Sequence, residues 1–392
     1  MRSFPRVFWI ILLLGGLLAN AQAPELSPSA RFSVLTCGPG TDLYAKFGHS
    51  AFRLQDPITG IDWVYNYGTF DFNTPNFYVK FARGKLPYAL SKQRFDNFLY
   101  TYQLERRWVR EQVLELSPEE TRGLLDFLEV NHLPENRLYR YDFLFENCAT
   151  KVPEVLKRVL GDGLEYSYDH LAEPLTFREL IHRNLQWNSW SSFGIDLALG
   201  AVIDREAKGG QYAFLPEYVR YQIEHASLGD QLLTPRERTI LDLPSPRSSN
   251  YFTATPLFWM LILLGMTIAI TWIDFRNGTR SRVLDFGLFF LTGSSGLIIA
   301  FLWFLTDHNA TVWNANLLWA FPLNLILGIL LFFPVLSARQ LRIYLMVLLA
   351  LLALAILIWL VGIQVFSLVL LPVWAALLLR YTYLISYFRP LP

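Results

Sequence analysis

Cysteine is scarce in this 392-residue chain, with only Cys37 and Cys148 present. Two thiols exclude a disulfide scaffold and any multi-cysteine metal site, and leave room for a single bridge. The six histidines form no His-Glu-x-x-His pair and the carboxylates no dense loop, so no metal centre is expected. Gly-x-Ser-x-Gly and Gly-x-x-x-x-Gly-Lys-Ser/Thr are also missing. Their absence disfavours serine lipases and nucleotide-driven transport, and no cofactor is implied. Thirty-four basic residues against 33 acidic ones leave a net charge of +1 with no long basic run. Nucleic acid is therefore not an expected partner, because nothing supplies the stripe that neutralises phosphates. Internal repeats and low-complexity segments are absent too.

Apolar length is what the chain has in excess. Residues 1–23 carry Arg2 and Arg6, an apolar run from Val7 to Leu18, and then Ala19, Ala21 and Ala23. That is the layout of a secretory signal, with Ala19-Asn20-Ala21 as the better cleavage site and an uncleaved anchor as the alternative. From Thr253 onward, apolar runs at about 254–273, 286–306, 313–336, 342–362 and 364–387 each reach membrane-crossing length, giving a region of five helices over 254–392. Arg276, Arg280, Arg282, Arg339, Arg342, Arg380 and Arg389 mark one side, and Asp307-His308-Asn309 the other. The positive-inside rule then puts residues 24–240 and the His308 loop outside the cytoplasm. The expected plan is a periplasmic domain at 24–240, a linker at 241–253, and a multi-pass inner-membrane anchor or lipid-access scaffold with few charges.

Within 24–240, Arg31–Thr36, His49–Gln55, Ile61–Tyr67 and Trp108–Leu116 read as strands. Ser117-Pro118-Glu119-Glu120 and Thr176-Phe177-Arg178-Glu179 read as capping boxes, and 149–160 as an amphipathic helix. Cys148 falls just before that helix, where free amides and the helix dipole favour thiolate and could supply an oxyanion hole. His49 begins a strand, in Phe47-Gly48-His49-Ser50-Ala51-Phe52-Arg53. A thiol needs a base within hydrogen-bond reach, and histidine is the usual one, so Cys148 and His49 form the candidate dyad. His182 is the reserve base. The group that would fix the histidine tautomer is Asn66, with Asp71 as runner-up. Arg53, Asp196 and Asp204 could frame the site or meet lipid head groups; surface ion pairs and turn roles are the plain alternative. Cys37, in a Gly-Pro-Gly turn, reads as structural, with a second acyl carrier or a Cys37–Cys148 disulfide as the other options.

A helix-borne cysteine with a strand-borne histidine resembles papain-like enzymes, except that here the histidine comes first. The chain resembles the circularly permuted NlpC-like branch, and more closely the Lnb-type lipoprotein N-acyltransferases. The residues that carry the likeness are Leu35-Thr36-Cys37-Gly38-Pro39-Gly40, the His49 segment, Asn147-Cys148-Ala149-Thr150, and Gly194-Ile195-Asp196-Leu197 through Gly200, Asp204 and Phe214-Leu215-Pro216-Glu217-Tyr218. The resemblance implies an α+β, permuted papain-like domain followed by the five-helix region. It also implies ping-pong transfer of an acyl chain from a phospholipid, through a Cys148 thioester, to the free α-amine of a diacylated lipoprotein, with His49 as general base and membrane lipids as surroundings. Two rivals stay open: a cysteine peptidase or amidase with the same dyad, and a non-enzymatic receptor stapled by Cys37–Cys148.

Overall fold

The structure is a computed structural model that describes residues 24–171, 173–244, 251–333 and 336–389. The expected signal peptide at 1–23 and part of the expected linker lie outside the described residues. The N-terminal domain is mixed α/β, built on a seven-stranded antiparallel sheet. Its strands are β1 (Arg31–Cys37), β2 (His49–Asp56), β3 (Ile61–Thr69), β4 (Pro87–Arg94), β5 (Val109–Val113), β6 (Leu138–Arg140) and, added from beyond a separate three-stranded sheet (Leu164–Tyr166, Ala226–Leu228, Gln231–Leu232), a last strand at Glu237–Leu241. The order is last strand, β5, β1, β2, β3, β4, β6.

Alternation along β1 divides its side chains between two cores, as the period-two pattern requires. Phe32 and Val34 join Phe52, Leu54 and Tyr65 under the helices Pro118–His132 and Lys151–Leu160. Leu35 and Cys37 join Ala51 and Val64 under the helix Phe95–Leu104. Both capping boxes form: Ser117 Oγ accepts from the Glu120 amide, and Thr176 Oγ1 from the Glu179 amide.

Among the described residues four helices are long and apolar enough to cross a membrane: Pro256–Asn277, Arg282–Phe304, Ala338–Leu360 and Leu368–Tyr387. The expected third span at 313–336 departs from the pattern. It is broken into Asn316–Trp319 and Asn324–Leu330, with Pro322 in the break, where a missing N–H and a fixed φ stop a continuous helix. The broken segment still tracks its neighbour end to end. A Cβ on Gly296 would meet the Ala320 carbonyl at 1.9 Å, one on Gly293 the Leu325 amide at 2.2 Å, and Phe286 packs on Phe332. Non-helical backbone at such depth is tolerated where protein covers it, and the two glycines provide that close cover.

The membrane region is also less free of charge than its composition suggests. Arg380, fully buried, bonds Asp285 at 2.7 Å and Asp274 at 2.8 Å, close to the Arg276–Arg282 turn. The loop after Phe304 lies at the opposite end, on the N-terminal domain. There the Asp307 amide donates to the Arg83 carbonyl, Asn309 Nδ2 to Asp142, and the Gly200 and Ala201 amides to the carbonyls of Ala310 and Trp313. Gly200 has no room for a side chain, since a Cβ would stand 1.9 Å from the Val312 carbonyl oxygen.

Candidate active site

Cys148 sits in the turn that leads into the helix Lys151–Leu160. The residue before it explains its placement. Asn147, 3% exposed, accepts through Oδ1 from the amides of Ala149 (2.8 Å) and Thr150 (2.9 Å), and donates through Nδ2 to the carbonyls of Phe143 and Phe214. An Asn that caps the backbone two and three residues ahead is a local turn device, visible in the sequence as Asn147-Cys148 but missed as such. It also changes the expected oxyanion hole: the Ala149 and Thr150 amides are consumed by Asn147, while the amides of Cys148 and Ser50 are directed at the sulfur.

His49 opens β2 after Gly48, whose φ of +83° is the left-handed region that glycine occupies without strain. Its Nε2 bonds Asn66 Oδ1 from β3. A carbonyl oxygen only accepts, so Nε2 carries the proton and Nδ1 is left for the thiol. Gly68, at φ +86° on the irregular end of β3, makes room for the cysteine: a Cβ there would stand 3.3 Å from Cys148 Cβ. Burial pushes the Cys148 thiol up, but the charge of His49, its hydrogen bond and the two amides reverse this and hold the pKa below the ordinary thiol value. For His49 burial favours the neutral ring, yet the Cys148 charge and the hydrogen bonds to Cys148 and Asn66 raise the pKa. Each partner therefore favours the charged form of the other, as in a thiolate–imidazolium pair.

Sequence reasoning also passed over Tyr139. It lies on a strand of only three residues, too short to show a pattern, and the Gly68 backbone amide is the one polar group that reaches its otherwise unpaired, buried hydroxyl among the described residues. Burial, and then the Cys148 charge, raise its pKa, so the group is a neutral O–H donor, and Gly68, whose amide it meets, is the glycine that stands against Cys148.

Cys37 is the backbone partner of His49 across β1 and β2, but its thiol is buried; both it and the half-buried Cys148 are free. Burial pushes the Cys37 thiol up to about 12, which removes it as a nucleophile at neutral pH.

The remaining candidates are not brought to the dyad as free groups. Arg53 is 4% exposed, bonded to Asp62 and Glu111, with its guanidinium 3.4 Å above the Phe95 ring on the other core. Asp204 and Asp196 are held by buried Arg178, at 2.7 and 3.0 Å, and Arg178 also donates to the carbonyls of Leu199 and Gly200. His182 spends Nε2 on Asp196, and Asp71 is an exposed turn residue bonded to Asn73. Arg53, Asp196 and Asp204 are thus each held in ion pairs within the domain. Asp196 and Asp204 brace the 196–204 segment that meets the membrane region, where Asn316 Nδ2 donates to the Asp196 carbonyl and the Val365 amide to the Asp204 carboxylate. No group of three or more metal-ligating side chains exists among the described residues.

Residues 23–183 match the family described as the Lnb N-terminal periplasmic domain, and residues 247–389 the family described as the Lnb transmembrane domain. No curated protein and no solved structure matches the chain.

Proposed function

The chain belongs to the Lnb family, with a periplasmic domain and a transmembrane domain in that order, and we infer from this premise that it is a lipoprotein N-acyltransferase of the bacterial inner membrane, built on a permuted papain-like domain. The observation that carries the reading is the Cys148–His49–Asn66 constellation, seated in a domain docked on its own membrane helices. A soluble amidase has no need of that docking, whereas an enzyme with two lipid-bearing substrates does.

In the first half-reaction the Cys148 thiol passes its proton to His49 Nδ1, and the thiolate attacks the ester carbonyl of a phospholipid. The tetrahedral oxyanion accepts from Tyr139 O–H and the Cys148 amide. Collapse breaks the C–O bond, His49 returns the proton to the departing alkoxide, and a lysophospholipid leaves. In the second half-reaction the free α-amine of a diacylated lipoprotein attacks the thioester. His49 takes the amine proton, the C–S bond breaks and the amide is formed. Both thiols are free, which also disfavours the disulfide-stapled receptor, since that needs both sulfurs oxidised.

The test is to incubate the full chain with phospholipid alone and measure its intact mass. A gain of one acyl group on Cys148, released by hydroxylamine and missing in Cys148→Ala and His49→Ala, supports the reading. A wild-type chain that never becomes acylated overturns it, and peptide cleavage without lipid dependence moves the assignment to a hydrolase.

A further inference from the structure

A cavity of about 350 Å³ lies where the two domains meet, and both build its walls. Phe47 and Tyr88 come from the periplasmic domain, Ala198 from the helix Trp190–Ala198, and Leu302 from the membrane helix Arg282–Phe304. The volume falls in the range of small-molecule sites.

The cavity adjoins the dyad. Phe47 stands two residues before His49 and packs edge-on against Phe143, which also lines the space. Phe143 is tied to the turn of the nucleophile, since its carbonyl accepts from Nδ2 of Asn147, the residue before Cys148, and Tyr141 stacks 4.2 Å from Tyr88 in the same wall.

The two carboxylates and the histidine in the lining are already engaged. Asp142 accepts from the amides of Leu144 and Phe145 and from Asn309, Asp307 pairs with Arg140, and His308 Nε2 bonds the Ala82 carbonyl. A peptide threaded here would leave its own amides without partners at a real cost, whereas a hydrocarbon chain asks for nothing polar. Tyr44 and Phe81 line the cavity and are also 70% and 54% exposed. Both share the lining with the loop that leaves the membrane helix at Phe304, the end of a span being where a tyrosine such as Tyr44 favours the bilayer interface.

We propose that this interdomain cavity receives the hydrocarbon chain of the acyl donor, admitted sideways from the outer leaflet between Tyr44 and Phe81, so that the ester carbonyl stops at Cys148. The identity of the occupant rests on the acyl-transfer reading; its location does not. Since the walls come from both domains, the membrane helices shape the site as well as anchoring it, and the depth of the cavity sets the chain length accepted.

The experiment uses full-length Cys148→Ser protein in nanodiscs containing phosphatidylethanolamine with a diazirine at the end of one acyl chain. After photolysis, the labelled peptides are mapped by mass spectrometry. Label on the segments holding Phe81, Phe143 or Leu302 is expected. Filling the space from either wall, with Ala198→Trp or Leu302→Trp, should lower that label about tenfold, equivalent to roughly two methylenes kept out. Label confined to the outward faces of the membrane helices, or cavity label unmoved by both folded variants, overturns the proposal. Should both variants fail to fold, the map of the Cys148→Ser protein alone decides by the same criterion. In the Cys148 background, Ala198→Trp should keep thioester formation from octanoyl donors and lose it from palmitoyl donors. Cavity label in a protein that never acylates would sink the acyltransferase reading and leave the lipid site standing, whereas acylation with an unlabelled cavity would do the reverse.

Discussion

Asn66 Oδ1 meets Nε2 of His49 across the neighbouring strands β2 and β3, and this contact decides which ring nitrogen can serve the thiol. With the proton held on Nε2, the lone pair of Nδ1 is available to Cys148. On the proposed chemistry Asn66 is a positioning residue. Asn66→Ala should lower kcat for thioester formation about tenfold to a hundredfold with KM nearly unchanged, a part of what a general base contributes. Because Asn66 helps raise the His49 pKa, the alanine variant should also lose the imidazolium at lower pH. Asn66→Asp should restore rate and move that limb upward. The pH–rate profiles of the three proteins check this, and superimposable profiles would contradict it.

The sulfur carries its own pH signature. Its pKa is lowered, so thiolate persists below the ordinary thiol range and is lost as pH falls through the shifted value, while imidazolium is lost as pH rises through the raised value for His49. Removing the ring in His49→Ala leaves burial as the dominant influence, which pushes the thiol up. Each unit of increase lowers the thiolate fraction at neutral pH about tenfold. Iodoacetamide alkylation of Cys148, followed against pH in both proteins, measures the difference.

Cys37 should be silent. With its pKa near 12, it should resist alkylation in the native protein and react only after unfolding. Cys37→Ala should retain acyl transfer within a few-fold, losing about 1 kcal/mol of packing. Thiol titration under non-reducing conditions should count one reactive thiol native and two denatured; none in either state would restore the disulfide-stapled receptor.

Tyr139 is the donor whose removal should separate catalysis from folding. Tyr139→Phe deletes a hydroxyl met only by the Gly68 amide, so stability should hold to within about 1 kcal/mol while kcat falls about 10²-fold, the scale of a single oxyanion contact. A fall in Tm with unchanged kcat would assign the hydroxyl a structural role.

Arg178 should behave in the opposite way. Arg178→Met strands two buried carboxylates, Asp196 and Asp204, at a cost of about 3–5 kcal/mol. The expected result is a clear drop in Tm of the full chain and loosened protection of the 196–204 and 310–316 amides in hydrogen exchange. An unchanged Tm would show that the brace carries no weight.

Local chemistry made much of this molecule legible before its coordinates. Strands such as Arg31–Cys37 alternate, capping boxes at Ser117 and Thr176 need only four residues, and His49, Asn66 and Cys148 stand in short contexts that betray their geometry. What stayed hidden depends on partners far along the chain. Arg53 looked like a site residue because Glu111 is 58 positions away. Asp285 and Arg380 lie 95 apart, and their buried pair contradicts the impression of a membrane region with few charges. The third apolar run is long enough to span, but length says nothing of the break at Pro322, which is tolerated because Gly293 and Gly296 let a neighbouring helix close over it. Tyr139 gave no signal, since a three-residue strand has no period to read.

The central claim is tested most directly on the acceptor. A diacylated reporter lipoprotein is incubated with phospholipid and either the wild-type chain or Cys148→Ser, and the intact mass of its N-terminal peptide is measured. A gain of one acyl group on the α-amine with wild type only is the predicted result; an unchanged mass with folded, thioester-competent enzyme would contradict it.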